Sequence, residues 1–259
     1  MAERTVIGGV GRVLRPDPHR CGRCALAGLK FLRCLSEGEA AFVRDLKRGE
    51  MTFDPGSLIL HEGEEADSLY TVVSGWAIRY KTLADARRQI LKFVLPGDFL
   101  GLQSSIFAAA EHSVEALTEV RTCVFLRKRF WEMQERHPQL GYEMVWVAAS
   151  DEQHLDAALL SVGQRSALER AAYLLLDLYI RAEERELVVN ETVLFPFNQQ
   201  HLADALGLSL VHTNKVIGRL RTMKLIKWEG RAFQLLDRAG MEAVAKWEAR
   251  ANAVPRAFL

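Results

Sequence analysis

The sequence predicts an α+β protein built from a double-stranded β-roll of the jelly-roll type, a long helix and a C-terminal winged helix-turn-helix. Three features indicate this order. Short apolar runs separated by glycine fill residues 51–125, a helical pattern extends from Phe130 to Leu160, and two short amphipathic segments meet at Gly207. The predicted boundaries are an N-terminal arm at 1–35, the β-roll at 36–137, the long helix at 138–163 and the winged helix-turn-helix at 164–259.

The length predicts about two domains, and we expect a cytoplasmic protein. The 259 residues include 34 Lys or Arg, 33 Asp or Glu and 49% hydrophobic residues. The sequence has neither an apolar run that could span a bilayer nor the apolar stretch of a signal peptide, so we expect no membrane partner. In a reducing cytoplasm the four cysteines are expected as thiols, and a disulfide framework is disfavoured.

A short amphipathic helix is expected before the β-roll, with Ser36 as its cap and Phe42, Val43 and Leu46 facing inward. Beyond it, glycines at the ends of apolar runs mark turns between short strands. The number and spacing of these runs favour a small antiparallel barrel or jelly roll. Within it, a brief helix is expected only at 104–110.

The long helical pattern is interrupted early by Pro138. A narrow apolar stripe beyond the proline favours contact between the helices of two subunits, the alternative being an ordinary helix packed on the β-roll. Asp151 in this stripe needs a partner, because burying an unpaired carboxylate costs stability. A hinge is expected at 161–163. The predicted dimer interface consists of Leu140, Met144, Val147, Asp151, His154 and Ala158.

Two short helices are predicted next to each other in the C-terminal part. Asn198 is placed to cap the first, Gly207 supplies a tight turn, and Ser209 is placed to cap the second. The second helix has one apolar face and one polar, basic face, the arrangement that allows a helix to enter a major groove. The apolar face consists of Thr213, Val216, Ile217 and Leu220.

Charge and a following hairpin favour DNA binding by this stretch over a core helical hairpin with solvated basic residues. Six Lys or Arg and two acids lie between Asn198 and Arg231, on a chain whose total charge is balanced. Two strands are expected to join at Glu229-Gly230, with Lys227 and Arg231 beside the tip, as in a wing. A short strand at 191–196 and a last helix at 238–250 complete this part.

Three segments stand out by their residues: SLYTVVSGWAIRY at 68–80, PGDFLGL at 96–102 and QQHLADALGLSLVHTNKVIGRL at 199–220. Together with the order of the parts, they resemble the CRP/FNR family of bacterial transcription regulators. The resemblance implies a cyclic-nucleotide-binding-like sensor domain, a homodimer, a two-fold symmetric site on double-stranded DNA and contact with RNA polymerase. An enzyme is not expected, because no nucleophile–base pairing or phosphate loop stands out.

Departures from the family pattern bear on the ligand. The cyclic-AMP-binding branch holds the phosphate and ribose with a glutamate and an arginine–serine pair, and the matching positions here are Leu102 and His112-Ser113. Because the phosphate lacks a bidentate partner without the arginine, cyclic AMP is not expected as a ligand. His112 is open to three interpretations: a weak anion contact, a haem ligand, or a surface histidine without a specific role.

The FNR branch holds a [4Fe–4S] cluster with several cysteines near the N-terminus and one on the β-roll. Here Cys21, Cys24 and Cys34 lie near the N-terminus and Cys123 lies at the matching place on the β-roll. Such a cluster needs four converging thiolates. The gap between Cys24 and Cys34 is wider than usual for the family. A zinc ion on the same four ligands, or core positions for Cys34 and Cys123, are the alternatives.

The groove-facing residues differ from those typical of the oxygen-responsive branch. Val211 can contact a thymine methyl, Asn214 can bond adenine and Lys215 can reach guanine, so the half-site is expected to differ from the usual ones. Contacts to the DNA backbone are expected from Ser209, His212, Arg219, Arg221, Lys227 and Arg231.

These observations predict a dimeric, sequence-specific DNA-binding regulator whose N-terminal domain senses a redox or oxygen signal through its cysteines. One alternative replaces the cluster with an unknown small ligand in the β-roll, or with no ligand. Another, of a different class, is an effector-binding module whose helical hairpin binds protein. Salt-dependent binding to random duplex would argue against that module.

Overall fold

A computed structural model describes residues 11–14, 26, 29, 32–107, 109–248 and 256–257 of the chain. These residues form two compact units, which divide within the long helix. The first comprises the described residues of 1–81, 93–152 and 254–259, and the second comprises those of 82–92 and 153–253. Among the described residues, no helix combines the length and the apolar character that a membrane crossing requires.

The first helix, α1, forms at Glu37–Leu46, where the sequence predicts it. The Ser36 hydroxyl accepts a hydrogen bond from the Glu39 amide, and the Glu39 carboxylate accepts one from the Ser36 amide. This capping box satisfies backbone donors that a helix otherwise leaves unpaired. Phe42, Val43 and Leu46 are buried, as expected.

Two sheets form the β-roll, which confirms the predicted jelly roll. Strand β2 precedes α1 at Leu32–Arg33 and pairs in parallel with β14 (Arg256–Ala257). The other strands are β1 (Gly11–Leu14), β3 (Lys47–Phe53), β4 (Leu58–Leu60), β5 (Ser68–Ser74), β6 (Ala77–Thr82), β7 (Arg88–Val94), β8 (Phe99–Leu100), β9 (Ser113–Ala116) and β10 (Val120–Leu126). One sheet has the order β1-β3-β10-β5-β8 and the other has the order β4-β9-β6-β7. The brief predicted helix inside the roll forms as α2 at Ser104–Phe107.

The turn between β5 and β6 requires glycine. Gly75 has a φ of +92°, and a Cβ added there would overlap the carbonyl oxygen of Glu119. A side chain at this position is therefore excluded by both backbone conformation and space.

The two faces of the five-stranded sheet pack against different partners. Its inner face meets the four-stranded sheet in a core that includes Phe53, Val72 and Val114. Its outer face packs against helices and the N-terminal segment, in what we term the helix-side core. The helix-side core consists of Leu26, Leu29, Leu32, Phe42, Val43, Leu46, Leu69, Val73, Phe99, Cys123, Phe125, Met133, Leu140, Met144 and Val147.

After a 3-10 turn at Arg127–Arg129, helix α3 spans Phe130–Arg136 and the long helix α4 spans Pro138–Gln164. Leu140, Met144 and Val147, three of the predicted subunit contacts, are buried in the helix-side core of their own chain. Apolar periodicity identifies a buried face without saying what buries it.

The other members of the predicted interface are less buried. Asp151 bonds Arg79 of the same chain, and His154 and Ala158 are half-buried. The hinge predicted at 161–163 is also absent from its expected place, because those residues are helical and α4 ends at Gln164.

The second unit contains a winged helix-turn-helix, as predicted. Its elements after α4 are α5 (Ala167–Glu184), β11 (Thr192–Leu194), α6 (Gln199–Leu206), α7 (Leu210–Thr222), β12 (Ile226–Glu229), β13 (Ala232–Leu235) and α8 (Arg238–Ala245). The sheet order is β11-β13-β12, and Phe195, Trp228 and Phe233 form an aromatic cluster on it. The last helix is shorter than predicted, because Lys246 adopts a left-handed conformation with a φ of +48°.

Candidate nucleic-acid interface and sensor site

The turn between α6 and α7 is fixed by its capping residues. The side chain of Asn198 accepts a hydrogen bond from the His201 amide over 2.9 Å, which begins α6. Gly207 ends α6 in the left-handed conformation, with a φ of +62°. The guanidinium of Arg170, on α5, donates to the carbonyl oxygen of Leu206. These contacts set the angle at which α7 leaves the turn.

Helix α7 has the two faces that the sequence predicts. The Ser209 hydroxyl accepts a hydrogen bond from the His212 amide over 3.3 Å and caps the helix. Thr213, Val216, Ile217 and Leu220 are buried on one side. The opposite side is open to solvent and is available to a ligand along its length.

Every residue predicted to contact DNA is exposed. Val211, Asn214 and Lys215 are spaced three and four residues apart on α7, so the structure brings them together on one face. Val211 is 66% exposed, so its apolar side chain is accessible on this face. The residues predicted to contact the DNA backbone are also exposed: Ser209, His212, Arg219, Arg221, Lys227 and Arg231.

The wing has its basic residues beside its tip. Strands β12 and β13 are joined by Gly230, whose φ is +57°, and Lys227 and Arg231 flank this turn. Lys227 lies 3.6 Å from the Glu229 carboxylate, with both side chains exposed. Such an exposed ion pair contributes little to stability. The Lys227 ammonium can therefore leave Glu229 and bind a DNA phosphate at a small cost in free energy.

Contacts with β7, which no sequence pattern predicted, hold α6 in place. Within the second unit, Arg88 of β7 forms an ion pair with Asp204 of α6 at 2.8 Å, and Gln89 donates to the Ala205 carbonyl at 3.1 Å. Gln200 also donates a hydrogen bond to the Asp204 carboxylate, at 2.7 Å. The separation of β7 and α6 in sequence explains why no local pattern indicated it.

The four cysteines stand in different situations. Cys21 and Cys24 lie outside the described residues. Cys34 is exposed, so the interpretation of Cys34 as a core residue is wrong, whereas Cys123 is buried in the helix-side core. In the described part of the chain, no group of three or more His, Cys, Asp or Glu side chains is arranged to hold a metal.

Arg33, next to Cys34, joins three elements of the first unit. From β2 it forms a bidentate pair with Glu39 of α1, at 2.6 and 2.9 Å, and donates from Nε to Glu143 of α4 at 2.5 Å. The Arg33 guanidinium lowers the pKa of Glu39 to about 2. The carboxylates of Glu39 and Glu143 are mostly buried, and the Arg33 guanidinium pairs with both of them.

His112 is buried, so its interpretation as a surface histidine is wrong. Burial, and then the nearby charge of Arg79, lower its pKa to about 3. The imidazole is therefore neutral at physiological pH. The hydroxyl of the adjacent Ser113 accepts a hydrogen bond from the Glu62 amide at 3.1 Å.

Comparison with protein families agrees with this geometry. A model described as the cyclic nucleotide-binding domain matches residues 50–137, and one described as the Crp-like helix-turn-helix domain matches residues 169–244. The second match contains α6, α7 and the wing.

Similar full-length proteins are bacterial regulators. The nitrogen fixation regulation protein FixK of Bradyrhizobium diazoefficiens is 31% identical over 236 residues, covering 90% of this chain and 97% of FixK. The transcriptional activator protein FnrL of Cereibacter sphaeroides is 30% identical, covering 86% of this chain and 92% of FnrL. The solved structure of FixK2 from Bradyrhizobium japonicum, 27% identical, aligns with a TM-score of 0.69 over 78% of this chain and 98% of that chain.

Proposed function

The chain belongs to the CRP/FNR family of DNA-binding transcription regulators and is not an enzyme, and its similarity to FixK and FnrL supports the FNR-like branch. From this premise we propose that it is a cytoplasmic homodimer that binds a two-fold symmetric site on double-stranded DNA and contacts RNA polymerase. We propose further that its N-terminal domain senses a redox or oxygen signal through a cysteine-ligated iron–sulfur cluster.

The exposed face of α7 carries the DNA-reading part of the proposal. Asn214 presents an amide that can bond the N6 and N7 edge of adenine, and Lys215 presents an ammonium that can reach guanine. Val211 supplies an apolar surface for a thymine methyl. Because the three lie on one exposed face of a helix whose other face is packed, they can enter one major groove together.

Positive charges around this face support phosphate contacts. Arg219 and Arg221 lie in the last turns of α7, and Lys227 and Arg231 lie on the wing, all exposed. Each phosphate contact releases counterions, so affinity should fall linearly in a plot of log K against log salt. With four such contacts in each subunit, and therefore eight in the dimer, the slope should be about −7.

A mostly apolar stripe along α4, interrupted by Glu152, is the proposed dimer interface, in place of the buried Leu140, Met144 and Val147. The α4 stripe follows a 3.5-residue spacing, as in a two-stranded coiled coil. Leu159 is 73% exposed and Val145 is 60% exposed. A second copy of the same helix would cover these side chains and place two α7 helices on one duplex. The α4 stripe consists of Val145, Ala148, Glu152, Leu155, Leu159 and Val162.

One feature of the first unit supports the proposal of a shared cysteine site. Leu26, Leu29 and Leu32 pack in the helix-side core together with Cys123. These leucines, which lie between Cys24 and Cys34 in sequence, are therefore held against the outer face of the sheet that carries Cys123. Cys21, Cys24, Cys34 and Cys123 are the residues that would hold the cluster, and when bound the cluster would supply sensitivity to oxygen and redox state. Zinc on the same ligands is the alternative.

The same core offers a route from the cysteines to α4. Leu32 and Cys123 share it with Met144 and Val147 of α4, and Arg33 bonds Glu143 one position away. A change in the position of Leu32 and Arg33 must therefore alter the packing beneath α4. If helix α4 can adopt two placements that differ in dimer affinity, the presence or absence of the cluster at the cysteines sets DNA affinity through linkage.

Anaerobic purification tests the sensing part. We expect a coloured protein with about four irons per chain for a [4Fe–4S] cluster, and stronger binding to a selected DNA site without oxygen than in air. A Cys21→Ser and Cys24→Ser double variant should lose the iron and the oxygen response. A colourless, iron-free protein that binds DNA equally with and without oxygen would reject the cluster. An oxygen response that survives in the double variant would favour a small ligand in the β-roll.

Selection of duplexes from a random pool tests the DNA-binding part independently of the cluster. A two-fold symmetric consensus with half-sites separated by about one helical turn is expected. Binding without sequence preference, or without dependence on salt, would contradict it.

A further inference from the structure

The first unit contains a cleft that neither the DNA-binding surface nor the cysteine site uses. Its volume of about 510 Å³ lies within the usual range of about 300–1,000 Å³ for small-molecule sites. Strand β3, the segment before β5, the end of β10, the 3-10 turn and α3 each contribute to its walls. The lining residues are Arg48, Asp67, Leu126, Arg127, Lys128 and Trp131.

The walls of this cleft are held in place by neighbouring contacts. Arg129 donates to the Asp45 carboxylate at 2.7 Å and to both carboxylate oxygens of Glu132 at 2.8 Å. The amide of Arg127 donates to the carbonyl oxygen of Asp67 at 2.9 Å. These contacts fix the turn that presents Arg127, Lys128 and Trp131. A pre-formed site loses less entropy when a ligand binds.

The cleft combines positive charge with an exposed aromatic ring. Among the described residues that line it, three are cationic and one is a carboxylate, and Trp131 is 70% exposed. Arg48 and Lys128 are exposed, and within the described parts of the chain neither forms an ion pair with a carboxylate. Guanidinium and ammonium groups bind phosphate, and an open indole face binds planar rings by stacking.

We propose that this cleft binds a nucleotide with two or more phosphate charges. Its phosphates would meet Arg48, Arg127 and Lys128, and its base would stack on Trp131. Asp67 would accept a hydrogen bond from a ribose hydroxyl or a ring N–H, a role that a simple inorganic polyanion does not offer. A cleft of this volume suits a small molecule better than an extended acidic peptide. The proposal does not depend on the cluster or on the dimer.

Calorimetric titration of the full-length protein with ATP, adenosine and tripolyphosphate tests this inference. We expect ATP to bind in the micromolar range and the other two to bind at least about tenfold more weakly, since each lacks half of the recognised chemistry. Trp131→Ala and Lys128→Gln should each weaken ATP binding about tenfold. Both residues are exposed, so circular dichroism should show unchanged folding. Lys215→Gln, on the DNA-binding face, is the matched control and should leave ATP binding unchanged.

Four results would overturn the inference. They are the absence of ATP binding at millimolar concentration, equal binding of tripolyphosphate, ATP binding that persists in both cleft variants, and ATP binding that is abolished in Lys215→Gln. The last would place ATP on the DNA-binding surface. An octaglutamate peptide that binds more tightly than ATP, and that Trp131→Ala weakens, would assign the cleft to an acidic protein partner instead.

Discussion

Arg79, on β6, donates a hydrogen bond to the Asp151 carboxylate, on α4, over a distance of 3.1 Å. The Arg79 side chain is 8% exposed and that of Asp151 is 28% exposed. Burial lowers the pKa of Arg79, and the charge of Asp151 opposes this effect. The pair therefore supplies the partner that a carboxylate in the apolar pattern of α4 requires.

Asp151→Asn should destabilise the first unit by about 1–3 kcal/mol, because it leaves a buried guanidinium without its counter-charge. Urea unfolding measures the change. Glu135→Gln, at an exposed position of α3, is the control and should shift stability by less than about 0.5 kcal/mol. Equal effects of the two substitutions would show that the pair contributes nothing specific.

The buried neutral state of His112 makes stability depend on pH. Its folded pKa of about 3 lies below the ordinary value of 6.5, so the unfolded chain binds the proton more readily. The contribution of the neutral His112 to folding stability is fully present above about pH 6.5 and is lost as the pH falls toward 3. Between pH 7 and pH 5 the loss should be about 2 kcal/mol.

Unfolding of the wild type and of His112→Gln at the two pH values isolates this effect. Between pH 7 and pH 5, the free energy of unfolding of the variant should decrease by about 2 kcal/mol less than that of the wild type. The window avoids Glu39, whose depressed pKa of about 2 makes its contribution disappear only below about pH 4.5. Parallel pH profiles for the two proteins would contradict the assignment.

Arg33→Gln should destabilise the first unit by about 2–4 kcal/mol, since it leaves the mostly buried Glu39 and Glu143 without their shared cation. The matched control is Arg44→Gln, at an exposed position of α1. Under the proposed sensing route, a folded Arg33→Gln protein should retain its iron but show a smaller difference in DNA affinity between oxygen and its absence. Full retention of that difference would remove Arg33 from the route.

Asn214→Ala should relax base preference at one position of each half-site by about 1–3 kcal/mol. Competition assays with single-base variants of the selected site measure this. Arg231→Gln is the contrasting variant: it should weaken all sites about equally and reduce the salt slope by about 0.9 for each phosphate that is no longer neutralised. If the two substitutions had the same pattern across the variant sites, Asn214 would be a phosphate-binding residue.

The parts that could be predicted from sequence are those with local causes. Capping residues, Gly207 and the spacing of Thr213 to Leu220 set the helix-turn-helix within a short stretch, and the structure reproduces it. Contacts between distant segments, such as Arg33 with Glu143 or Arg88 with Asp204, leave no local pattern. The same limit applies to Leu140, Met144 and Val147, because a core face and a subunit face show the same periodicity.

Leu159→Glu should weaken the proposed dimer, because it adds a second carboxylate to the α4 stripe of each subunit at a place where the two helices would otherwise bury apolar area. Analytical ultracentrifugation at micromolar concentration should show a shift toward single subunits without a change in helical content. Leu83→Glu, an exposed leucine on the β6–β7 hairpin, should leave the dimer intact.

Leu140→Ala distinguishes the two assignments of α4. Leu140 is fully buried within its own subunit, so its truncation should lower the free energy of unfolding by about 2–5 kcal/mol and leave the dimer affinity of the folded protein unchanged. A Leu159→Glu protein that remains dimeric, combined with a folded Leu140→Ala protein that dissociates, would restore Leu140, Met144 and Val147 as the subunit contact. It would require α4 to leave the helix-side core when the dimer forms, since these side chains cannot face both partners at once.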